Sequence, residues 1–322
     1  MDWVDSLKGF AILLVVYGHN FPFCEKYIYS FHMPLFIIIS GFFYPKVSSF
    51  GNLKSRFKTL VIPYFIWALL LYVFWFLIAK KMGESANLGL SDSKNFVGVF
   101  FAQGGREYMD WGIPLWFLPM LFLAFGFRYL IDLISGKTSL QFVIAVIFAS
   151  IGLVVQSSWP WSFNVALVAT LFLFMGKIIF EKINQIDGVK LYVLMALFFV
   201  LHCLLYNQNA KIDMYRSQYG NGVLFLLNGF TGAGFLILFF KKFVNSKALA
   251  FVGKFSMVIL ALQILSLSFI KLVIMILFKS NDFDFSEFQK FSFSLLQVIL
   301  LVPVFLLINK YFPILNGGFK KV

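Results

Sequence analysis

Ten apolar runs, each bounded by polar clusters, divide the chain at roughly 6–23, 31–45, 60–79, 113–134, 140–156, 163–180, 191–205, 222–240, 255–278 and 289–309. A helix needs about 20 apolar residues to cross a hydrocarbon core about 30 Å thick. Inside that core every backbone N–H and C=O must be satisfied within the segment, so such runs fold as helices. The expected fold is all-α, a polytopic transmembrane helix bundle of about ten spans. Composition points the same way: 61% of the 322 residues are hydrophobic and 13% are charged, where a soluble domain carries about 25% charged residues. Disorder and a soluble enzyme are both excluded. Ten spans take roughly 200 residues, so little remains outside the bilayer and any chemistry belongs in or beside it. No internal repeat and no linker is visible, so residues 1–322 read as one integral-membrane domain.

The formal net charge is +13, from 27 basic and 14 acidic residues. In a soluble protein that excess would suggest nucleic acid. Here no basic run is interleaved with aromatics outside the apolar segments, so nucleic-acid binding is excluded. Cytoplasmic loops of membrane proteins collect Lys and Arg. With the N-terminus inside, 17 of the basic residues fall on the cytoplasmic side and 9 on the outer side, with Lys271 within span nine. Both termini are therefore expected in the cytoplasm. Trp3, Trp111, Trp159 and Trp161 then fall near the membrane interfaces, where indoles prefer to sit. The 45 phenylalanines read as bulk facing membrane lipids. Asp2 and Asp5 stand where a signal peptide would be positive, so the first apolar run is expected to be retained as a span.

Few polar residues lie within the spans, and these carry the functional information. Lys8 and His19 are eleven residues apart. At about 100° per residue that is three turns plus roughly 20°, so both share one helix face, about 16.5 Å apart along the axis. An ionisable group at the depth of His19 marks a functional site unless it serves as a hydrogen bond between helices. Tyr17 and Asn20 add polar groups beside it. His32 stands at the outer mouth of span two, ahead of Pro34, which suits a first helical turn. Ser40 and Gly41 allow a neighbouring backbone to come close. The loop after span two carries Lys46, Lys54, Arg56 and Lys58; sorting to the cytoplasm accounts for the charge, and phosphate binding is the further role open to it. Trp116 lies between Pro114 and Pro119 at the outer start of span four, as an aromatic anchor or as a wall of an external site. His202 is a third outer histidine, and residues 106–111 offer aromatic and carboxylate groups suited to a sugar. The three histidines have no metal-ligand spacing, so no metal is expected. The cysteines, Cys24 and Cys203, form no disulfide framework.

These residues resemble the acyltransferase 3 family of bacterial membrane-bound acyltransferases, in the version typified by fucose O-acetylase-type glycan O-acetyltransferases. The likeness is strongest over 2–64. It lies in Asp5-Ser-Leu-Lys8 followed by Gly18-His19, in FHMPLFIIISGFFYPK, in RFKTLVIPYFIW with Arg56, Pro63 and Tyr64, and more weakly in PLWFLPMLF. A late segment, FVGKFSMVILALQIL, has Gln263 where the family commonly has His, and Lys8 stands where many members have Arg. The resemblance implies a ten-span bundle in the bacterial inner membrane. It also implies acetyl-CoA as the cytoplasmic acyl donor and an envelope glycan or sugar as the acceptor. On that reading His19 is the general base on a hydroxyl or a transient acyl carrier. Asp5 joins it in the catalytic set by orienting Lys8. Lys8, Arg56 and Lys58 hold the donor phosphates, and His32, Ser40, Asn20 and Trp116 line the substrate. The competing readings are a transporter of a small solute or lipid-linked glycan, and a non-catalytic partner in an envelope assembly. Transporter spans often show repeats and matched broken helices, neither of which is visible here.

Overall fold

The computed structural model describes residues 2–279 and 283–319. Lys320 and Lys321, which contribute to the cytoplasmic charge, lie outside the described residues. The ten apolar runs form ten helices: α1 (Asp2–Gly18), α2 (His32–Phe42), α3 (Ile62–Leu77), α4 (Phe117–Ile134), α5 (Thr138–Val154), α6 (Phe163–Lys182), α7 (Gly188–Leu205), α8 (Gly222–Phe243), α9 (Ser256–Phe278) and α10 (Glu287–Tyr311). Among the described residues there is no strand, only an isolated antiparallel bridge between Asp213 and Gln218. The fold is an all-α membrane bundle.

Seven of these helices, counted with the short helical turns that extend some of them, are long and apolar enough to cross a membrane. The other three are α1 and α5, with 17 residues each, and α2, with 11. The second run, expected over 31–45, is helical only to Phe42 because Pro45 disfavours helical backbone at Tyr44. The first run begins earlier than expected and ends at Gly18. Beyond it the chain turns at His19 and Asn20, and Phe21 takes a left-handed φ of 52° ahead of Pro22. A short apolar stretch outside the ten runs, 95–102, lies in a helix, Asp92–Phe101, capped by the Ser91 hydroxyl and closed by Ala102. Polar caps punctuate other starts. Ser286 and Gln289 form a reciprocal capping box that opens α10, and Ser49 accepts from the Asn52 N–H at the head of Phe50–Arg56.

The chain forms two compact units that interleave in sequence. The first comprises Met1–Phe36, Asp187–Ile212 and Val223–Asn316; the second is mainly Ile37–Ile186 with Asp213–Gly222. In the first unit α1 packs against α9, α10 and the short helix Lys247–Lys254, and α9 packs on α10. In the second, α6 packs against both α4 and α5. There Gly41 of α2 and Gly176 of α6 meet backbone to backbone: a Cβ on Gly41 would overlap the Leu173 carbonyl oxygen, and one on Gly176 that of Ile38. Small residues here do what they do at membrane helix crossings generally, letting two axes come close.

Candidate active site

In the first unit the candidate residues are carried by α1. At its start α1 crosses Lys247–Lys254 through two glycines. A Cβ on Gly9 would overlap the Leu249 carbonyl oxygen, and one on Gly253 that of Asp5. The Ser6 hydroxyl donates to the Ser246 carbonyl and accepts from the Ser246 N–H, both at 3.0 Å. This crossing fixes the backbone of the turn carrying Lys8. The Lys8 ammonium lies 2.8 Å from an Asp5 carboxylate oxygen one turn away, with both side chains partly exposed. The ion pair aims the ammonium without burying it.

At the other end of α1 stands His19. Its backbone N–H still bonds the Val15 carbonyl, and its ring Nδ1 lies 2.7 Å from the same oxygen. A carbonyl only accepts, so Nδ1 carries the hydrogen and the imidazole lone pair falls on Nε2. This tautomer serves a base or a nucleophile. His32, buried as the first residue of α2, makes the same type of contact to Ile28 O at 2.9 Å. Asn20 is fully engaged. Its Nδ2 donates to Val16 O at 3.2 Å and to Ser294 Oγ at 2.7 Å, and its Oδ1 accepts from Gln297 at 3.2 Å. It thus ties the end of α1 to α10 and sets the direction of the chain at His19. His202 is buried among Tyr27, Phe31 and Tyr206, with the Ser30 and Thr231 hydroxyls at 3.4 and 3.5 Å from its two nitrogens. Cys24 and Cys203 are both free thiols.

In the second unit Arg56 ends the helix Phe50–Arg56. Its Nη2 donates to Phe43 O at 2.7 Å and its guanidinium lies 4.4 Å from the centre of the Phe125 ring. With Tyr44, Ser48, Ser49, Asn52 and Tyr129 it lines a cleft enclosing about 250 Å³, open solvent included. Lys58 is exposed on the next turn, Phe57–Val61, which winds as a π-helix. Such turns insert one residue into a helix and recur at functional sites. Ser40 is half-buried on α2 beside the Gly41 crossing. Trp116 is buried, its ring 5.6 Å from that of Tyr215 in the 206–221 loop.

Two polar networks in this unit escape a reading by loops and spans. Arg128, counted with the cytoplasmic loop charges, is instead only 2% exposed. It pairs with Asp132 one turn on and donates to Gln141 at 3.2 Å. Asp132 also accepts from the Tyr44 hydroxyl at 2.6 Å and from Gln141 at 3.0 Å. The i, i+4 spacing of Arg128 and Asp132 was the available signal: opposite charges one turn apart near a span end can pair in place of facing water. The second network joins the loops after α3. Asp110 accepts from Trp75 at 2.8 Å, Ser85 at 2.6 Å and Arg106 at 2.6 Å, while the Asn95 amide oxygen takes the Asp110 N–H at 3.0 Å. Trp111, expected as an interfacial anchor, is buried and donates to Asn95 O at 3.0 Å. Of the two carboxylates considered for sugar contact, Glu107 and Asp110, Asp110 is thus committed to shaping its own loop.

The fold defines the class as an all-α, multi-pass membrane protein, with a histidine at the end of its first helix. Residues 1–309 match the family model described as an acyltransferase domain, that of the acyltransferase 3 family. No curated protein and no solved structure matches the chain. The chain belongs to the acyltransferase 3 family, as a membrane acyltransferase.

Proposed function

We propose that this protein transfers an acetyl group from cytoplasmic acetyl-CoA to a hydroxyl of a cell-envelope glycan or glycan precursor, working in the bacterial inner membrane with both termini in the cytoplasm. The observation that carries this reading is α1 itself. It carries a carboxylate-oriented ammonium, Lys8, and holds at its end an imidazole with its lone pair on Nε2, His19; eleven residues of helical spacing put the two on one face about 16.5 Å apart. A pantetheine arm is on the order of that length. With the donor phosphates at the Lys8 end, the thioester reaches His19.

His19 then takes the proton of the acceptor hydroxyl as its oxygen attacks the thioester carbon. The C–S bond breaks and the imidazolium returns the proton to the departing thiolate. If His19 instead accepts the acyl group first, the same Nε2 is the nucleophile. Asp5 holds Lys8 in line, and the Val15 carbonyl holds the imidazole tautomer. Arg56 and Lys58 retain, from the family resemblance, the role of donor-phosphate cations, and His32, Ser40 and Trp116 that of substrate contacts. Asn20, bonded through its whole amide, positions His19 and leaves the substrate to other groups.

The test is incubation of envelope membranes carrying the protein with acetyl-CoA labelled in the acetyl group. Label appearing in glycan with the unsubstituted chain and not with His19→Ala supports the reading. Equal labelling by both overturns the role of His19, and uptake of solute into vesicles without acyl transfer overturns the enzyme.

A further inference from the structure

Gln263 lies on α9, is 1% exposed, and has no hydrogen-bond partner at either its amide nitrogen or its amide oxygen among the described residues. Arg128, Asn164 and Asn228 each lack a partner at one buried atom but are bonded through another. Gln263 is bare at both. A primary amide buried without partners in an apolar interior is costly, so a polar group absent from the chain itself is called for.

The packing of α9 and α10 gives its depth. Phe255, at the head of α9, stacks on Phe305 of α10 with ring centres 4.9 Å apart and planes 2° from parallel. The helices run antiparallel, so depths along them can be matched from this rung. Gln263 is eight residues beyond Phe255 and Gln297 is eight residues before Phe305; each is about 12 Å from the stacked pair. The two amides therefore occupy one layer. Gln297 donates to Asn20, the neighbour of His19, and Ser294, about one turn further along α10, bonds Asn20 as well. By this count Gln263 lies near the layer in which α10 holds Asn20, within about a turn of the end of α1 where His19 stands.

The missing partner must both donate and accept, since both halves of the Gln263 amide are bare. A carbonyl, a carboxylate or a phosphate only accepts. The thioester end of a pantetheine arm fits, with its amide N–H to Oε1 and its thioester carbonyl to Nε2–H; the amide alone would not, because its own N–H and C=O point to opposite sides. The arm carries that amide two methylenes from its sulfur, roughly one helical turn from the reacting carbon. We propose that Gln263 binds the pantetheine amide N–H together with the thioester carbonyl and so sets how far the acyl group projects towards His19. This rests on the acetyl-CoA reading above.

The test compares acetyl-CoA with an analogue whose N–H nearest the thioester is replaced by CH2. Binding of each to the purified full-length protein in lipid nanodiscs is measured for the unsubstituted chain and for Gln263→Leu. The expected result is about tenfold weaker binding of the analogue by the unsubstituted chain, and no difference between the two donors on Gln263→Leu. The thermal midpoint of Gln263→Leu is expected not to fall, because leucine removes an orphaned amide. Equal binding of both donors by the unsubstituted chain overturns the proposal without recourse to the variant. So does a tenfold difference that persists in Gln263→Leu, which assigns the amide's partner elsewhere. No binding of acetyl-CoA by the unsubstituted chain overturns the donor reading and this proposal together.

Discussion

The polar layer at the end of α1 and the polar networks of the second unit contain similar residue types but are built differently. Around Asp110 and Asp132 carboxylate, amide, indole and hydroxyl groups interlock. Such networks rigidify the chain, and because so much of their hydrogen-bonding capacity is spent they have little to offer a ligand. Around His19 the capacity is unevenly used. Asn20 is spent on α10, while Gln263 in the adjacent layer is not spent at all. The difference teaches that polarity in a membrane bundle is not in itself a sign of a site; polarity left unused is.

Breaking each region should give a different kind of loss. The largest effect is expected at His19. His19→Ala should lower transfer by about 10²- to 10⁴-fold, the range for a positioned proton-transfer group, while the thermal midpoint of the purified protein stays near that of the parent. Asp132→Ala should do the reverse. It leaves Arg128 buried without its carboxylate and should cost about 3–5 kcal/mol of stability, read as a lowered thermal midpoint, with turnover per folded molecule retained. Next in size, Lys8→Ala should raise the KM for acetyl-CoA about tenfold, the scale of a charge-assisted contact, with kcat little changed; an unchanged KM would remove Lys8 from the donor site. The smallest effect is confined to alkaline pH. Burial pushes the Tyr215 phenol from 10.0 up to about 12, and its oxygen accepts from the Gly105 N–H at 2.6 Å. A folded value above the unfolded one means that its contribution is whole below pH 10 and is lost as pH climbs through 12. Limited proteolysis of the 206–221 loop should therefore accelerate over that window, and Tyr215→Phe should remove the step.

The helical bundle was legible because the lipid environment allows so few alternatives: an apolar run of this length has to satisfy its own backbone. The helix that carries Lys8 was legible, and the His19 N–H still bonds the Val15 carbonyl at its end. The tautomer of His19 was not, because it depends on how the ring meets the Val15 carbonyl after Gly18 ends the helix. The burial of Arg128 was not legible, because counting charges by side of the membrane says nothing of their solvation; Asp132 and Gln141 supply what water would have given. Gln263 was visible as a departure from the family pattern, but an orphaned amide can be recognised only when its neighbours are known. The length of α2 was overestimated because hydropathy continues through Phe43 and Tyr44 while the helix ends at Phe42 ahead of Pro45.

The π-turn at Phe57–Val61 has a consequence for how this chain tolerates length changes. An extra residue in a helical turn acts as a phase shifter: everything before it is rotated by about 100° relative to everything after it. Deleting one residue from the turn would restore ordinary helical winding without breaking the helix. The same deletion would swing Arg56 off the Phe125 ring and away from the Phe43 carbonyl it now touches. A family member that is one residue shorter here would keep its span and its arginine, and aim that arginine somewhere else.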